Sequence, residues 1–328
     1  MNEQCALHFT GPPGSEVDDL GFRRPWDVKL DENSTYFKAA NAYSEFWTQY
    51  LPTLVRRRKR WEKVDPRTHP LLMQRFIHKG VPSTFRKEIW LRNCPPRGEI
   101  PSTSVPNLVA EEIRLDLPRT FPDNIRLRNT KAQNTVGRIL YELARFVPSI
   151  GYCQGLNFIA ALLWLLLENE ERTKDLLIFL IKPRSSWYGM DMSGLRRDMR
   201  VLYELLRQEV PVICSTLVRL DVGLDLLLGK WFLCWFLEVL PMETVLRIWD
   251  CFIYEGDVWF FRVAIRLLRI NSIKIAACKT MDQLLTTIQS IGPSKPSLKC
   301  HLLIQNAMSE KITQDQVDAL RDRFSKEF

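Results

Sequence analysis

Gly151-Tyr152-Cys153-Gln154-Gly155 runs directly into Leu156-Asn157-Phe158-Ile159-Ala160-Ala161-Leu162-Leu163-Trp164-Leu165-Leu166-Leu167. The second part is the most apolar run of the chain, and it carries a polar residue, Asn157. A bilayer-spanning helix needs about 20 apolar residues, so this run is too short to span and reads as a buried helix opened by a glycine-bounded loop. Leu226–Leu240 is comparably apolar but is broken by Gly229, Lys230 and Glu238. No stretch sustains the period-two alternation of strands. Long apolar segments separated by Gly and Pro breaks predict helices near 71–79, 83–90, 108–117, 131–146, 156–167, 173–181, 195–208, 211–220, 224–240, 242–253, 258–271 and 280–289. The fold class is all-α, without an internal repeat.

Outward from this core, residues 1–34 are polar and contain Gly11-Pro12-Pro13-Gly14, which predicts a flexible lead-in. Residues 35–70 form an N-terminal helical extension in which Tyr36, Tyr43, Phe46, Trp47 and Tyr50 recur at near-helical spacing and Pro52 kinks or ends the helix. A turn follows around Asp65–Pro70. Residues 94–107 hold four prolines and read as loop. Residues 291–328 make a C-terminal helical tail, with Thr313-Gln314-Asp315-Gln316 as a capping box.

At 328 residues the chain is long enough for a large core, and 46% hydrophobic with 26% charged residues is ordinary for a globular protein. Met1-Asn2-Glu3-Gln4-Cys5 opens no signal peptide, so a cytoplasmic location is expected. The eight cysteines form no CxxC pair and do not group with the four histidines, which leaves metal binding without support. Cys153, Cys234 and Cys251 read as reduced core thiols. A formal charge of +8 is concentrated at Arg56-Arg57-Arg58-Lys59-Arg60. That run has three readings: a solvated helix face, contact with an acidic membrane or partner surface, or nucleic-acid binding, the last unaccompanied by any nucleic-acid motif.

Two polar side chains have no obvious place in a core. Arg119 ends Ile113-Arg114-Leu115-Asp116-Leu117-Pro118-Arg119, where Pro118 bends or terminates the helix and turns the guanidinium outward. Asp116, three residues back, lies on nearly the same face and either forms a surface ion pair with Arg119 or holds it in one rotamer. Gln154 either caps the Leu156 helix or points outward from a loop that Gly151 and Gly155 allow to approach a partner and Tyr152 packs beneath. A permanent planar cation and a neutral amide suit nucleoside triphosphate hydrolysis: one stabilises charge on the transferring phosphoryl group, the other orients water. The chain has no phosphate-binding loop of its own, so the nucleotide would sit on a partner, and an activator is expected rather than a self-contained enzyme. Arg247-Ile248-Trp249-Asp250 lies on an amphipathic helix that Gly256 terminates. Trp249 reads as core, and Arg247 and Asp250 as helix-stabilising.

Taken together, four strings in order resemble the TBC family of Rab GTPase-activating proteins. They are Lys79-Gly80-Val81-Pro82 with Arg86 and Trp90; Ile113-Arg114-x-Asp116-x-x-Arg119-Thr120-Phe121-Pro122; Gly151-Tyr152-Cys153-Gln154-Gly155-Leu156-Asn157-Phe158; and Arg247-Ile248-Trp249-Asp250 with Glu255-Gly256. Lys79 stands where the family usually has arginine, and the interval from Trp90 to Ile113 is short and proline-rich. The resemblance implies a TBC domain over 71–290 made of two packed helical subdomains. It also implies acceleration of GTP hydrolysis on a Rab GTPase, and so a role in vesicle trafficking. By it, Arg119 is an arginine finger and Gln154 a glutamine finger; Asp116, Tyr152 and Gly155 support them, and Arg86, Trp90, Trp249 and Asp250 are structural. The partner is GTP-bound Rab, which carries the GTP and Mg²⁺, so no cofactor is expected on this chain. Peripheral contact with an acidic membrane is a further expectation, and nucleic acid is not a partner. The alternative is a non-catalytic Rab-binding scaffold in which the shortened segment misplaces the fingers.

Overall fold

The computed structural model describes residues 7–10, 15–23, 33, 35–63 and 70–327. The turn expected at 65–69, Gly11–Gly14 and the side chain of Tyr36 lie outside the described residues. These fold into helices, and their β-pairing is confined to isolated bridges, Val17 with Arg23 and Phe22 with Asn124. The all-α class therefore holds. By compactness the chain groups out of serial order: residues 1–29 and 83–195 form one compact unit, and residues 30–82 and 196–328 another. The N-terminal extension thus belongs with the C-terminal half of the chain.

The first unit contains α3 (Ser83–Leu91), α4 (Asn107–Asp116), a 3-10 turn (Leu117–Arg119), α5 (Thr130–Phe146), α6 (Leu156–Leu167), α7 (Glu170–Ile181) and the short α8 (Ser185–Tyr188). α5 starts where the side chain of Asn129 accepts from the Lys131 amide, and it buries Ala132, Val136, Ile139, Leu140 and Leu143 at helical spacing. α6 packs against both α5 and α7, which explains its apolarity all round: Leu156, Ile159, Ala160, Leu163 and Leu167 are fully buried. α7 is capped by Asn169 and begins with Glu170 and Glu171, both favourable at the positive end of the helix dipole.

The short α3–α4 connection is loop, as its prolines predict, and arginines pin it: Arg145 donates to Pro101 O and Thr103 O, Arg172 to Cys94 O, and Arg97 does most. The guanidinium of Arg97 donates to Glu142, to Glu171 and, at 2.7 Å, to Asp175 Oδ1, while its backbone amide donates to the same Asp175 oxygen at 3.1 Å. Lys174 Nζ completes the cluster, 3.1 Å from Glu142 and 2.9 Å from Glu171. Charges gathered at one place bind the loop to α5 and α7 where few apolar residues are available to do so.

Much of the described part of the stretch expected as a flexible lead-in is packed: Leu7, His8, Phe9, Asp18, Leu20 and Phe22 are buried. Phe22 is fully buried and meets Phe121 edge-on at 5.2 Å, and His8 meets Phe121 at 5.0 Å. Asp18 folds the segment on itself by accepting from the amides of Thr10, Leu20 and Phe22. Asn124 ties it down: its Nδ2 donates to Leu20 O at 3.0 Å, and Ile125 N donates to Gly21 O at 2.8 Å.

The second unit contains α1 (Thr35–Lys63), α2 (Pro70–Lys79), most of α9 (Ser193–Glu209), α10 (Pro211–Leu220), α11 (Leu224–Leu233), α12 (Met242–Glu255), α13 (Val258–Ile270), α14 (Ser272–Ala277), α15 (Met281–Gln289), α16 (Lys295–Leu298), α17 (Cys300–Met308) and α18 (Gln314–Phe324). α1 passes through Pro52 without ending, because the exposed ring removes one hydrogen bond from a helix otherwise held by the packing of Tyr43, Phe46, Trp47 and Tyr50 on Leu298 and Cys300. The single helix expected over 224–240 is likewise corrected. α11 stops at Leu233, and Trp235 and Phe236 adopt left-handed φ of 48° and 65° in a tight turn closed by Phe236 N to Trp231 O at 2.8 Å. Both rings are fully buried there, and Trp235 contacts Trp249, Phe252 and Phe260. Apolarity in this stretch reports burial, not helical continuity. The capping box at Thr313 and Gln316 is formed.

Candidate functional site

The site is built on two chain breaks in the first unit, one after α4 and one before α6. Pro118 lacks the N–H an α-helix needs, so after Asp116 the chain tightens into the 3-10 turn Leu117–Arg119. Thr120 then closes the end: its amide donates to Leu117 O at 3.2 Å and its hydroxyl to Asp116 O at 2.8 Å. Phe121 follows with a left-handed φ of 47°, a conformation that costs a bulky residue about 1–3 kcal/mol and persists only where packing dictates it. The rings of His8, Phe22 and Phe158, all within 5.2 Å of Phe121, supply that packing. Arg119 is left exposed, with no hydrogen bond or ion pair among the described residues.

Across from it, Gly155 stands at the N-cap of α6 with φ 111°, a region that favours glycine. No side chain caps α6 from that position; the Gly155 amide instead donates to Oδ1 of Asn157 at 3.0 Å. The reading of Gln154 as a helix cap is thereby removed, and Gln154 is exposed with its amide uncommitted among the described residues.

Two hydrogen bonds lash the breaks together. Tyr152 Oη donates to Asp116 Oδ2 at 2.7 Å, and Asn157 Nδ2 donates to Thr120 Oγ1 at 2.8 Å. Asp116 therefore does not pair with Arg119 as expected; its carboxylate is engaged by the tyrosine, and the 3-10 turn carries Arg119 out to solvent. Burial, reinforced by the hydrogen bond to Asp116, pushes the Tyr152 phenol well above its usual range, so it remains a donor at any physiological pH. Burial, with the nearby Glu112, raises the Cys153 thiol to about 11, which keeps it protonated and unreactive at neutral pH. The result is two exposed polar side chains of complementary chemistry, unpaired among the described residues, each on a backbone fixed by buried and part-buried hydrogen bonds.

Of the residues singled out in the sequence, Asp116, Arg119, Tyr152, Gln154 and Gly155 come together here. Arg86 and Trp90 lie on α3 of the same unit, both buried. Trp249 and Asp250 lie in α12 of the second unit and are fully buried. Trp249 Nε1 donates to Trp235 O at 3.0 Å, as a core residue should. Arg247 is more than a helix-surface charge: it is buried, pairs with Asp250 at 3.0 Å, and donates to Ile77 O at 3.0 Å and His78 O at 2.7 Å, satisfying the open carbonyls at the end of α2. The residues that sequence reasoning passed over are Thr120, Phe121 and Asn157 as braces. The available signal was Asn157 itself, a lone amide in a run of Leu, Ile and Ala. Among the described residues, no group of His, Cys, Asp and Glu is arranged to hold a metal ion, and no helix is long and apolar enough to cross a membrane.

Comparison with known proteins agrees with this architecture. Residues 99–276 match the Rab-GTPase-TBC domain model. Growth hormone-regulated TBC protein 6 of Caenorhabditis elegans is 52% identical, covering 94% of this chain and 92% of its own length. Growth hormone-regulated TBC protein 1 of Homo sapiens is 34% identical, covering 90% of each. The crystal structure of the Chlamydomonas flagellar RabGAP TBC domain superposes with a TM-score of 0.66 at 22% identity, over 89% of this chain and 99% of that one, a likeness of fold. With that fold, that domain match and relatives of this similarity along nearly its whole length, the chain belongs to the Rab-GTPase-TBC domain family.

Proposed function

We propose that the chain stimulates GTP hydrolysis on a Rab GTPase by inserting Arg119 and Gln154 into the nucleotide site of its partner. The observation that carries this reading is the pairing of an exposed, uncommitted guanidinium and an exposed, uncommitted amide on two loops joined by the Asp116–Tyr152 and Thr120–Asn157 hydrogen bonds. GTP and Mg²⁺ belong to the partner. Arg119 neutralises charge that develops as the γ-phosphoryl bond breaks, a contribution of about 10³–10⁵ in rate in comparable systems, or about 4–7 kcal/mol at the barrier. Gln154 orients the attacking water by accepting a hydrogen bond from it through the amide oxygen, with no proton transferred to the amide. The chain is then an activator whose catalytic groups complete a site on another protein. The cross-bracing, together with the Arg97 anchor of the short α3–α4 loop, favours this over a scaffold with misplaced fingers.

The test is a cycle of glutamines. Hydrolysis on a responsive Rab is measured for the four combinations of wild-type and alanine at Gln154 and at the GTPase's own catalytic glutamine. Supply of the water-orienting amide in trans predicts a large loss from Gln154→Ala and a Rab glutamine variant that stays responsive. A strong loss from the Rab substitution with none from Gln154→Ala would sink the proposal.

A further inference from the structure

The run Arg56–Arg60 divides into two faces. Arg58 pairs with Glu62 at 2.9 Å and Arg56 donates to Thr53, both at the exposed surface of α1. Arg57 and Arg60, three apart, instead border a cavity of about 280 Å³ in the second unit, opposite Arg75 and Lys79 of α2. Its walls are apolar. Trp61 is buried and held by its indole N–H donating to Gly80 O at 3.1 Å, Phe76 meets it edge-on at 5.5 Å, and Leu72 completes the lining. Gly80, at φ 129°, keeps the wall open: a β-carbon there would lie 2.6 Å from the Arg57 guanidinium.

The rim has unbalanced charge. Arg57 leans on Tyr50, donating to its hydroxyl and lying 5.1 Å from its ring centroid. Arg60, Arg75 and Lys79 are exposed and have no carboxylate within ion-pair distance among the described residues. The crowding is felt at Lys79, whose ammonium is pushed below its usual range first by Arg75, then by burial, Arg60 and Arg57. Four cations around an apolar hole repel one another unless an anion arrives. A polyphosphate headgroup would find no free donor on the floor, since the Trp61 indole N–H is committed to Gly80 O and the Gly80 amide to Phe76 O and Ile77 O. A volume below that of ordinary small-molecule sites fits one or two large side chains, and an aromatic ring entering it would meet arginines at its face.

We propose that this cavity is a docking site for an acidic peptide segment of a partner protein, which seats one aromatic or branched aliphatic side chain between Trp61, Leu72 and Phe76 while flanking carboxylates meet Arg57, Arg60, Arg75 and Lys79. The site requires nothing of Arg119 or Gln154, and its test reads binding directly. The probe is a fluorescein-labelled peptide with one tryptophan between two runs of glutamate, titrated with the full chain by fluorescence anisotropy. Expected are saturable binding that weakens with added salt, and loss of that binding when the tryptophan becomes glycine or the glutamates become glutamine. The double charge reversal Arg75→Glu/Lys79→Glu, at exposed positions, should weaken it about tenfold or more with an unchanged melting midpoint. The same protein is sedimented with phosphatidylcholine vesicles with and without phosphatidylserine. Peptide binding indifferent to the double reversal overturns the proposal. So does an absence of peptide binding alongside phosphatidylserine-dependent sedimentation that the reversal abolishes, which would assign the cations to a membrane.

Discussion

Asn157 makes the sharpest prediction because it touches both loops and neither exposed side chain. It is 1% exposed; its Oδ1 satisfies the Gly155 amide at 3.0 Å and its Nδ2 donates to Thr120 Oγ1 at 2.8 Å. Asn157→Ala removes the bond to Thr120, worth about 1 kcal/mol, and in removing the other strands the buried Gly155 N–H, for which about 1–3 kcal/mol is usual. The expected destabilisation is therefore about 2–4 kcal/mol, or a fall in melting midpoint of roughly 4–16 °C. Thr120→Val loses only the acceptor for Asn157 and the bond to Asp116 O, and should cost less. The consequence for hydrolysis should exceed the loss of folded protein, since Gly155 adjoins Gln154 and Thr120 adjoins Arg119. Positioning errors of about 1 Å are worth about 10²-fold in rate. The assay is single-turnover hydrolysis on a responsive Rab at a temperature where circular dichroism shows each variant fully folded. The two substitutions should be non-additive in rate, because they break one brace. If Asn157→Ala melts early but stimulates normally when folded, the brace holds the fold and does not position the fingers.

Other substitutions separate chemistry from architecture. Arg119→Lys keeps the charge but loses the planar fork, and should abolish most stimulation without moving the melting midpoint; near-full activity would remove Arg119 from the mechanism. Trp249→Ala empties a fully buried site and breaks the hydrogen bond to Trp235 O, so a loss of about 3–5 kcal/mol should appear as insoluble or early-melting protein. Glu170 is held at about 2, chiefly by the hydrogen bond from Arg138 and then by Lys174. A depressed carboxylate stabilises the fold above its unfolded value and loses that contribution as pH falls toward 2, so Glu170→Gln should flatten the acid side of the stability profile measured by urea titration between about pH 5 and 2.

The parts of the fold written in local chemistry were legible. Asn129, Asn169 and the Thr313–Gln316 pair cap helices with their own side chains, and α5 shows its buried face in its spacing. What escaped was set by tertiary packing. Trp235 and Phe236 look like a continuation of α11, yet a cage of aromatic rings makes it favourable to break the helix and bury both in left-handed turns. The polarity of residues 1–34 suggested a free lead-in, because composition averages over Phe22, one ring that a distant Phe121 needs as a neighbour. The division into units was equally hidden, since α1 finds its apolar partners at Leu298 and Cys300, more than half the chain away.

The candidate site divides along the same line. Arg119 and Gln154 stood out as polar groups for which a core has no use, and the structure leaves both exposed. The means of fixing them was invisible, because a brace is a relation between segments: Asp116 reads as a partner for Arg119 by spacing, yet its carboxylate is taken by Tyr152 from another loop. This exchange has a functional logic. An Arg119 held in an ion pair would have to break it before meeting a phosphoryl group, and the affinity would be reduced by the cost of that rupture. Giving Asp116 to Tyr152 spends the carboxylate on holding the loops and leaves the guanidinium uncommitted, so that in the role proposed for it its first strong partner would be the charge that develops on another protein.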